Sequence, residues 1–394
     1  MKRIFLVVCA VALFAGLSTA QDQPAKPQKT FASIVEKTQK IDGFIPLYVN
    51  RDDGKVYMEI TRFNKEFLHL VSLPTGVGSN PLGLDRGQLG STRVVFFERA
   101  GNKVLLIQPN YDYRATGDEK QKKSVEESFA RSVVWGFKIE ASEGDKVLVD
   151  ATSFLIRDAH GVADRLNGAQ QGNYSFDESR SALYLPNTKG FPLNTEVEAT
   201  VTVSSSSSPK FLINQVAPMG KHVTVRERQS FVQLPDDKYK PRRFDPRTGA
   251  LNISFYDYGT DINQDLEERW IIRHRLEKKD PNAAVSEPVK PIVYYVDNGA
   301  PKAIQDALIE GASWWNQAFE AAGFKNAFQV KVLPADADPM DLRYNVINWV
   351  HRSTRGWSIG DSVVDPRTGE ILKGDVTLDS QRARQDFLLA TGMM

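Results

Sequence analysis

Cysteine is nearly absent from this 394-residue sequence, because Cys9 is the only one and it lies within an apolar run near the N-terminus. The residues around Cys9 do not form a lipoprotein-type cleavage site. Removal of that run during export would leave a chain without any thiol. Disulfides, thiolate zinc sites and cysteine nucleophiles are therefore excluded from the mature protein.

An excess of charge of one sign is also missing. Fifty basic and 49 acidic side chains leave a formal net charge of +1, so no overall field favours nucleic acid or an anionic membrane surface. Beyond the N-terminal run, no stretch approaches roughly 18 uninterrupted apolar residues, the length that a membrane-spanning helix needs. The sequence therefore predicts a globular protein that neither binds nucleic acid nor spans a membrane.

Several catalytic motifs are absent as well. An HExxH zinc motif requires two histidines one helical turn apart, with a glutamate between them as general base. The histidines of this chain are not spaced in that way; they are His69, His160, His222, His274 and His351. Neither a phosphate loop ending in lysine nor a Gly-x-Ser-x-Gly nucleophile elbow occurs. The residues alone thus indicate no catalytic and no metal-binding side chain.

The N-terminus has the pattern of a secretory signal. Lys2 and Arg3 precede the apolar run from Ile4 to Leu17, and Ser18-Thr19-Ala20 supplies small residues for cleavage. We therefore predict a signal peptide over residues 1–20 and a protein exported to the periplasm or the extracellular space. The Gln-, Lys- and Pro-rich residues that follow indicate a flexible lead-in over 21–40.

Residues 41–280 form a succession of short runs rich in Val, Ile, Phe and Tyr, separated by Gly, Asn, Asp and Pro. Most of these runs alternate with period two, as in "KVYMEI" and "EVEATVTV", and this pattern is typical of β-strands with one buried face. Longer apolar runs, such as "KVLLIQP", suit strands buried on both faces. The sequence predicts one large antiparallel β domain over this range.

The pattern changes after a linker at 281–290. "PIVYYVD" reads as a buried strand, and 301–323 reads as one helix whose apolar stripe includes Trp315 and Phe319. Strands follow at 328–333, 344–350 and on both sides of the turn "DPRTG", and a helix begins at Asp379 or Ser380. The order β-α-β-β-β-β predicts a separate α/β domain over 291–394, and the fold class of the whole chain is α+β.

Most isolated polar residues have ordinary structural explanations. We interpret His69 as a packed or surface histidine, and His274 as part of a solvated basic strand end, because neither has a visible partner for chemistry. Asp245 and Asp365 both begin the pentapeptide "DPRTG", which fits a type I turn. His351 opens the loop before the last hairpin and is the histidine that we consider most open to a functional role.

Several longer blocks together resemble a family of secreted bacterial zinc-dependent metalloproteases that carry domains of unknown function. These blocks are "GSNPLGLDRGQLGSTRVVFFER", "RHRLEKKDP", "IVYYVDNGAP", "WWNQAFEAAGF", "RYNVINWV" and "VVDPRTGEILKGDV". The resemblance covers about residues 30–394. The catalytic part of that family resembles metzincins, whose strand, backing helix and further strands precede a helix bearing HExxHxxGxxH. The resemblance therefore implies that this chain is the N-terminal portion of a longer metallopeptidase.

The resemblance also implies a cofactor and a substrate-binding element. Zinc would activate water for hydrolysis of a peptide bond, although the chain itself contains no ligands for it. In metzincin-like enzymes an edge strand beside the cleft pairs with the extended peptide substrate. We expect that edge in the last hairpin, at Gly369, Glu370, Ile371, Leu372, Lys373, Gly374, Asp375 and Val376.

Two other classes of function fit the same residues. The chain could be a complete, non-catalytic periplasmic binding protein whose two domains form a cleft. It could also be a secreted scaffold protein, which predicts no buried polar pocket near His351. The sequence identifies neither the peptide substrate nor the oligomeric state.

Overall fold

A computed structural model describes residues 30–353 and 358–393 of the chain. The predicted signal peptide and the first part of the predicted lead-in lie outside these residues. The remaining chain forms a large antiparallel β domain followed by a smaller α/β domain, which confirms the α+β fold class. No helix within the described ranges combines the length and the apolar character needed to cross a membrane.

The β domain is built from strands of very different length. Its helices and strands are α1 (Phe31–Val35), β1 (Gln39–Ile41), β2 (Leu47–Val49), β3 (Val56–Ile60), β4 (Phe67–Thr75), β5 (Gln88–Ala100), β6 (Lys103–Gln108), β7 (Tyr113–Arg114), α2 (Glu119–Ser128), β8 (Ser132–Glu143), β9 (Lys146–Asp150), α3 (Thr152–Leu155), α4 (Val162–Gly168), β10 (Tyr174–Phe176), β11 (Ala182–Leu183), β12 (Lys189–Gly190), β13 (Asn194–Ser205), α5 (Phe211–Val216), β14 (His222–Gln233), β15 (Asn252–Asp257) and β16 (Glu267–Ile271).

Thirteen of these strands form one curled sheet, whose main path runs β1-β2-β3-β9-β8-β6-β5-β4-β14-β13-β10. Every pairing along that path is antiparallel, as period-two strands joined by short turns require. Three further strands form a small sheet in the order β16-β15-β7. The main core contains Phe137, Phe154 and Phe231, all fully buried. His69 is also fully buried beside Phe154 and Phe231, which confirms its interpretation as a packed histidine.

The prediction of a flexible lead-in is wrong for residues 31–40. Thr30 caps α1 in a capping box with Ser33, where each side chain accepts the other residue's backbone N–H. Phe31 and Ile34 then pack against Tyr48 and its neighbours. Two polar residues with the correct spacing and a short apolar face are sufficient to order this segment, although its overall composition suggests a linker.

The α/β domain has a sheet of five strands in the order β18-β17-β19-β21-β20. The first four strands are parallel, and the last is antiparallel to its neighbour. Its helices and strands are β17 (Ile292–Val296), α6 (Lys302–Ser313), α7 (Trp315–Ala321), β18 (Phe328–Val332), β19 (Asn345–Val350), β20 (Ile359–Val364), β21 (Ile371–Asp379) and α8 (Ser380–Gly392).

The predicted single helix over 301–323 is two helices. The N–H of Trp314 bonds to the carbonyl of Gly311, and the N–H of Gln317 bonds to the carbonyl of Trp314, so the backbone tightens to i→i+3 bonding at this point. The change shifts the apolar stripe. Ile304 and Leu308 pack on the sheet, whereas Trp315, which we predicted to lie on the packed stripe, is 64% exposed.

The two faces of the five-stranded sheet have different neighbours. One face carries Val296 and Ile347 and is covered by α6. The other lies against the outer face of the β domain, where Leu70 and Val94 of the large sheet pack with Val363. The β domain therefore covers the face of the small sheet opposite α6. The ends of the strands and the β20 edge are not covered by these two contacts.

Candidate functional site

The last hairpin of the chain forms one side of the five-stranded sheet. Strand β21 pairs in parallel with β19, with Asp375 beside Val346, and pairs antiparallel with β20, with Asp375 beside Asp361. The prediction that residues 369–376 form the sheet edge is therefore wrong, because β21 has a neighbour on each side. The edge is β20, the other strand of the same hairpin.

The first residues of the predicted edge join the hairpin to the β domain. Gly369 closes the turn with a φ of 81°. Glu370 accepts two hydrogen bonds from the Arg275 guanidinium, at 2.8 Å to each carboxylate oxygen. Ile371 begins β21, and Leu372 packs against the apolar cluster between the two domains. These residues anchor the hairpin and do not present a free backbone.

The remaining residues of the predicted edge lie inside the sheet. Lys373 donates to the backbone carbonyls of Pro339 and Asp341. Gly374 lies against the Tyr294 ring, where a Cβ would overlap the hydroxyl group. Val376 faces α6, and Asp375 faces the β domain and accepts a hydrogen bond from the Asn348 side chain.

Gly374 leads to a prediction about stability. Replacing it with alanine should destabilise the chain by about 1–3 kcal/mol, because the new methyl group overlaps the largely buried Tyr294 side chain. Thermal unfolding measures this loss. Gly360→Ala is the matched control, because a Cβ at Gly360 would meet open space. An equal loss in the two variants would contradict the overlap and point to a general intolerance of the hairpin to side chains.

The open side of β20 can be identified from its partner strand. The N–H of Gly374 donates to the Asn345 side chain at 2.7 Å, on the side of β19. Gly374 therefore cannot donate to Ser362, its direct partner on β20. Since hydrogen-bonded and non-hydrogen-bonded pairs alternate along an antiparallel ladder, the backbone groups of Gly360 and Ser362 point away from the sheet.

The side chains at this edge are small or acidic. Ile359, Gly360 and Asp361 are exposed. Asp361 turns its carboxylate towards the edge, where one oxygen accepts the N–H of Ser362 at 2.7 Å. A glycine within a strand commonly marks a place where another backbone approaches closely. Within the part of the chain that the structure describes, the outward backbone groups of Gly360 have no partner, and the outward N–H of Ser362 is bonded to the side chain of Asp361.

Asp361 and Asp375 form a cross-strand carboxylate pair. Burial raises the pKa of Asp375 to about 6, and the Asp361 carboxylate adds to this rise, while Lys373 opposes it. Partial desolvation of its carboxylate also raises the pKa of Asp361. Behind the pair, a cavity of about 150 Å³ separates β21 from the β domain, and its lining includes Glu196 and Arg228. Two carboxyl groups therefore lie side by side where β20 meets the surface.

A second cluster lies at the carboxyl ends of β19 and β21. The Arg352 side chain is 1% exposed, with its Nε 2.9 Å from Asp85 and its Nη1 3.3 Å from Asp379. Asp85 belongs to the glycine-rich loop between β4 and β5, so this cluster joins the two domains. Next to it, the Nδ1 of His351 lies 2.8 Å from the hydroxyl of Ser380. Among the described residues His351 has this one hydrogen-bond partner, which orients the ring without forming a catalytic constellation.

Zinc, which the family resemblance implies, has no fitting ligand set here. Within residues 30–353 and 358–393, no three side chains among His, Cys, Asp and Glu are grouped to hold a metal ion. The carboxylates of the Arg352 cluster are paired with that arginine, and the Asp361–Asp375 pair adjoins the sheet edge. Of these features, the exposed β20 edge is the one with a geometry that can accept an extended chain.

Sequence reasoning missed Gly360, Asp361, Ser362 and the Arg352 cluster. The one available signal was composition, because the first strand of the hairpin, "IGDSVV", contains Gly, Asp and Ser, which suit an exposed edge better than "EILKGDVTL" does. No signal connected Arg352 with Asp85, since they lie 267 positions apart.

Comparison with known proteins adds one finding. No curated protein and no solved structure matches the chain. Residues 87–279, which run from β5 to the end of the β domain, match the family model described as a domain of unknown function, DUF5117.

Proposed function

We propose that this chain is the N-terminal part of a secreted zinc-dependent metallopeptidase, and that β20 holds the extended backbone of the peptide substrate. The observation that carries the proposal is the exposed edge strand, whose Gly360 and Ser362 backbone groups point away from the sheet. Strand addition at such an edge supplies main-chain hydrogen bonds that hold a peptide extended.

The choice of β20 over the other edge strand, β18, rests on side chains. On β18 the exposed residues near the edge include Lys331 and Val332, which are long or branched. On β20 the corresponding positions are occupied by Gly360, Asp361 and Ser362, so another backbone can approach without steric hindrance. The order of a strand, a covering helix, further strands and α8 also agrees with the family resemblance.

The chemical step is assigned to no residue of this chain. Bound zinc would polarise the scissile carbonyl and lower the pKa of a water molecule, but the described side chains form no site for it. The contribution of the chain is to position the peptide, with the β domain supporting the sheet on its opposite face. The zinc ligands are expected on a helix that follows this sheet in the longer protein.

Reading the coding sequence after the codon for Met394 tests the enzymatic part of the proposal. An in-frame HExxHxxGxxH motif would support a metallopeptidase, and peptide hydrolysis by the longer protein should then require zinc. An immediate stop codon would contradict it and would leave a non-catalytic peptide-binding protein as the better reading.

Ser362 tests the substrate-binding part. In the Ser362→Pro variant, binding of a fluorescein-labelled, extended Thr/Val peptide should weaken by about three- to tenfold, because an outward backbone donor is lost while the ladder to β21 keeps its donors. Fluorescence anisotropy measures the change. The Ser362→Ala variant keeps the N–H and should bind as the parent does. Equal affinities of the proline and alanine variants would exclude strand addition at this edge.

A further inference from the structure

The Asp361 carboxylate on the β20 edge has no cationic partner among the described residues, whereas Lys373 and Arg228 lie near Asp375. Asp361 and Asp375 are direct cross-strand partners, so both side chains lie on the same face of the hairpin. Neither carboxylate forms an ion pair within the part of the chain that the structure describes. Lys373, the nearest cation on β21, directs its ammonium group to the carbonyls of Pro339 and Asp341.

Asp361 also occupies the position where a peptide carbonyl would bind. Its carboxylate accepts the outward N–H of Ser362, the donor that an added strand would use. A carbonyl of the incoming peptide would take over this N–H and release the carboxylate. The released carboxylate then lies beside the peptide side chain directly opposite Asp361, because directly paired residues of neighbouring strands share one face.

We infer that the β20 edge selects peptides with a lysine or arginine at the position that pairs with Asp361. The inference rests on the proposed function, since it assumes that a peptide strand is added to β20. A cation there gains an opposite charge across the strands and also lies near Asp375, whereas a glutamate at the same position meets two carboxylates.

A set of three labelled peptides tests the selectivity. They share one extended Thr/Val sequence and differ only in a central Lys, Gln or Glu, and anisotropy gives their affinities for the chain. We expect the Lys peptide to bind about three- to tenfold more tightly than the Glu peptide. In 0.5 M NaCl this ratio should decrease, because added salt screens exposed charges.

Two variants assign the selectivity to a residue. Asp361→Asn should move the Lys-to-Glu ratio most of the way towards one, leaving only the contribution of Asp375, while Asp336→Asn should leave the ratio unchanged. Asp336 is an exposed aspartate after β18, near the other edge of the same sheet, and is a matched control for loss of one carboxylate.

The possible outcomes separate this inference from the proposed function. If no peptide binds to the chain or to its variants, the proposed function fails and the inference fails with it. If all three peptides bind equally, strand addition stands and the selectivity is wrong. If Asp361→Asn binds every peptide more tightly by the same factor, Asp361 protects the edge from pairing and does not choose among substrates, which also overturns the inference.

Discussion

Replacing Arg352 with methionine is expected to destabilise the folded chain by about 3–5 kcal/mol, because it leaves buried carboxylates without their cation. The Arg352 side chain is 1% exposed, and those of Asp85 and Asp379 are 10% and 0% exposed. Methionine fills a similar volume, so the loss reports charge and hydrogen bonding more than packing. Urea-induced unfolding of the parent and the variant, followed by circular dichroism, measures the difference.

A compensating variant separates the loss of the ion pairs of Arg352 from the loss of its packing. Adding Asp85→Asn and Asp379→Asn to Arg352→Met removes the unpaired charges and should recover most of the lost stability. Asparagine at 379 can still accept the N–H of Gln381 and cap α8, as the aspartate does. Arg247→Met, which breaks an exposed ion pair with Asp245, should not measurably change the urea midpoint. Failure of the triple variant to recover would show that Arg352 acts through packing.

Features that depend on neighbouring residues could be predicted from the sequence. Period-two apolar runs predicted the antiparallel β domain, because alternation along a strand reflects one buried face. Both "DPRTG" turns are present, with the N–H of Thr248 bonded to the carbonyl of Asp245 and that of Thr368 bonded to Asp365. These turns follow from the preferences of Asp, Pro and Gly at fixed positions.

Features that depend on distant residues could not be predicted in the same way. Both strands of the last hairpin have strand-like sequences, and only the pairing of β21 with β19 decides which of them is the edge. The Arg352–Asp85 contact links the two domains, and local periodicity carries no information about it. The break at Trp314 likewise depends on how α6 and α7 fit the sheet. The sequence therefore identified the hairpin that supplies this sheet edge, but assigned the edge to the wrong strand of the hairpin.

Replacing Glu227, a buried acidic residue, with its amide is expected to stabilise the protein. Glu227 is 2% exposed, and one carboxyl oxygen accepts the backbone N–H groups of Ala159 and His160, at 2.7 and 2.9 Å. Burial, together with the nearby Asp158 carboxylate, raises the pKa of Glu227 to about 9. At neutral pH the folded chain therefore holds a proton on Glu227.

The sign of the pH dependence follows from this proton. Between the unfolded pKa of 4.5 and the folded pKa of about 9, the folded state binds more protons at Glu227, so its contribution to stability decreases as pH rises. Glu227→Gln removes this proton uptake and keeps the shape of the side chain. The amide oxygen can accept the N–H groups of Ala159 and His160, and the amide nitrogen can donate to Asp158. The variant should be more stable than the parent by about 2–4 kcal/mol at pH 7.5, measured by urea unfolding.

The same comparison at acid pH provides the control. At pH 4 the carboxyl group is largely protonated in both folded and unfolded chains, so the advantage of Glu227→Gln should nearly vanish. Burial lowers the pKa of His69 and of His274 to about 4, so the parent and the variant both lose stability as pH falls below 6.5. This shared loss cancels in the difference between the two proteins.

Glu126→Gln, at an exposed position of α2, should not change stability at either pH. A stabilisation by Glu227→Gln that is the same at pH 4 and pH 7.5 would show that the proton on Glu227 is not its cause.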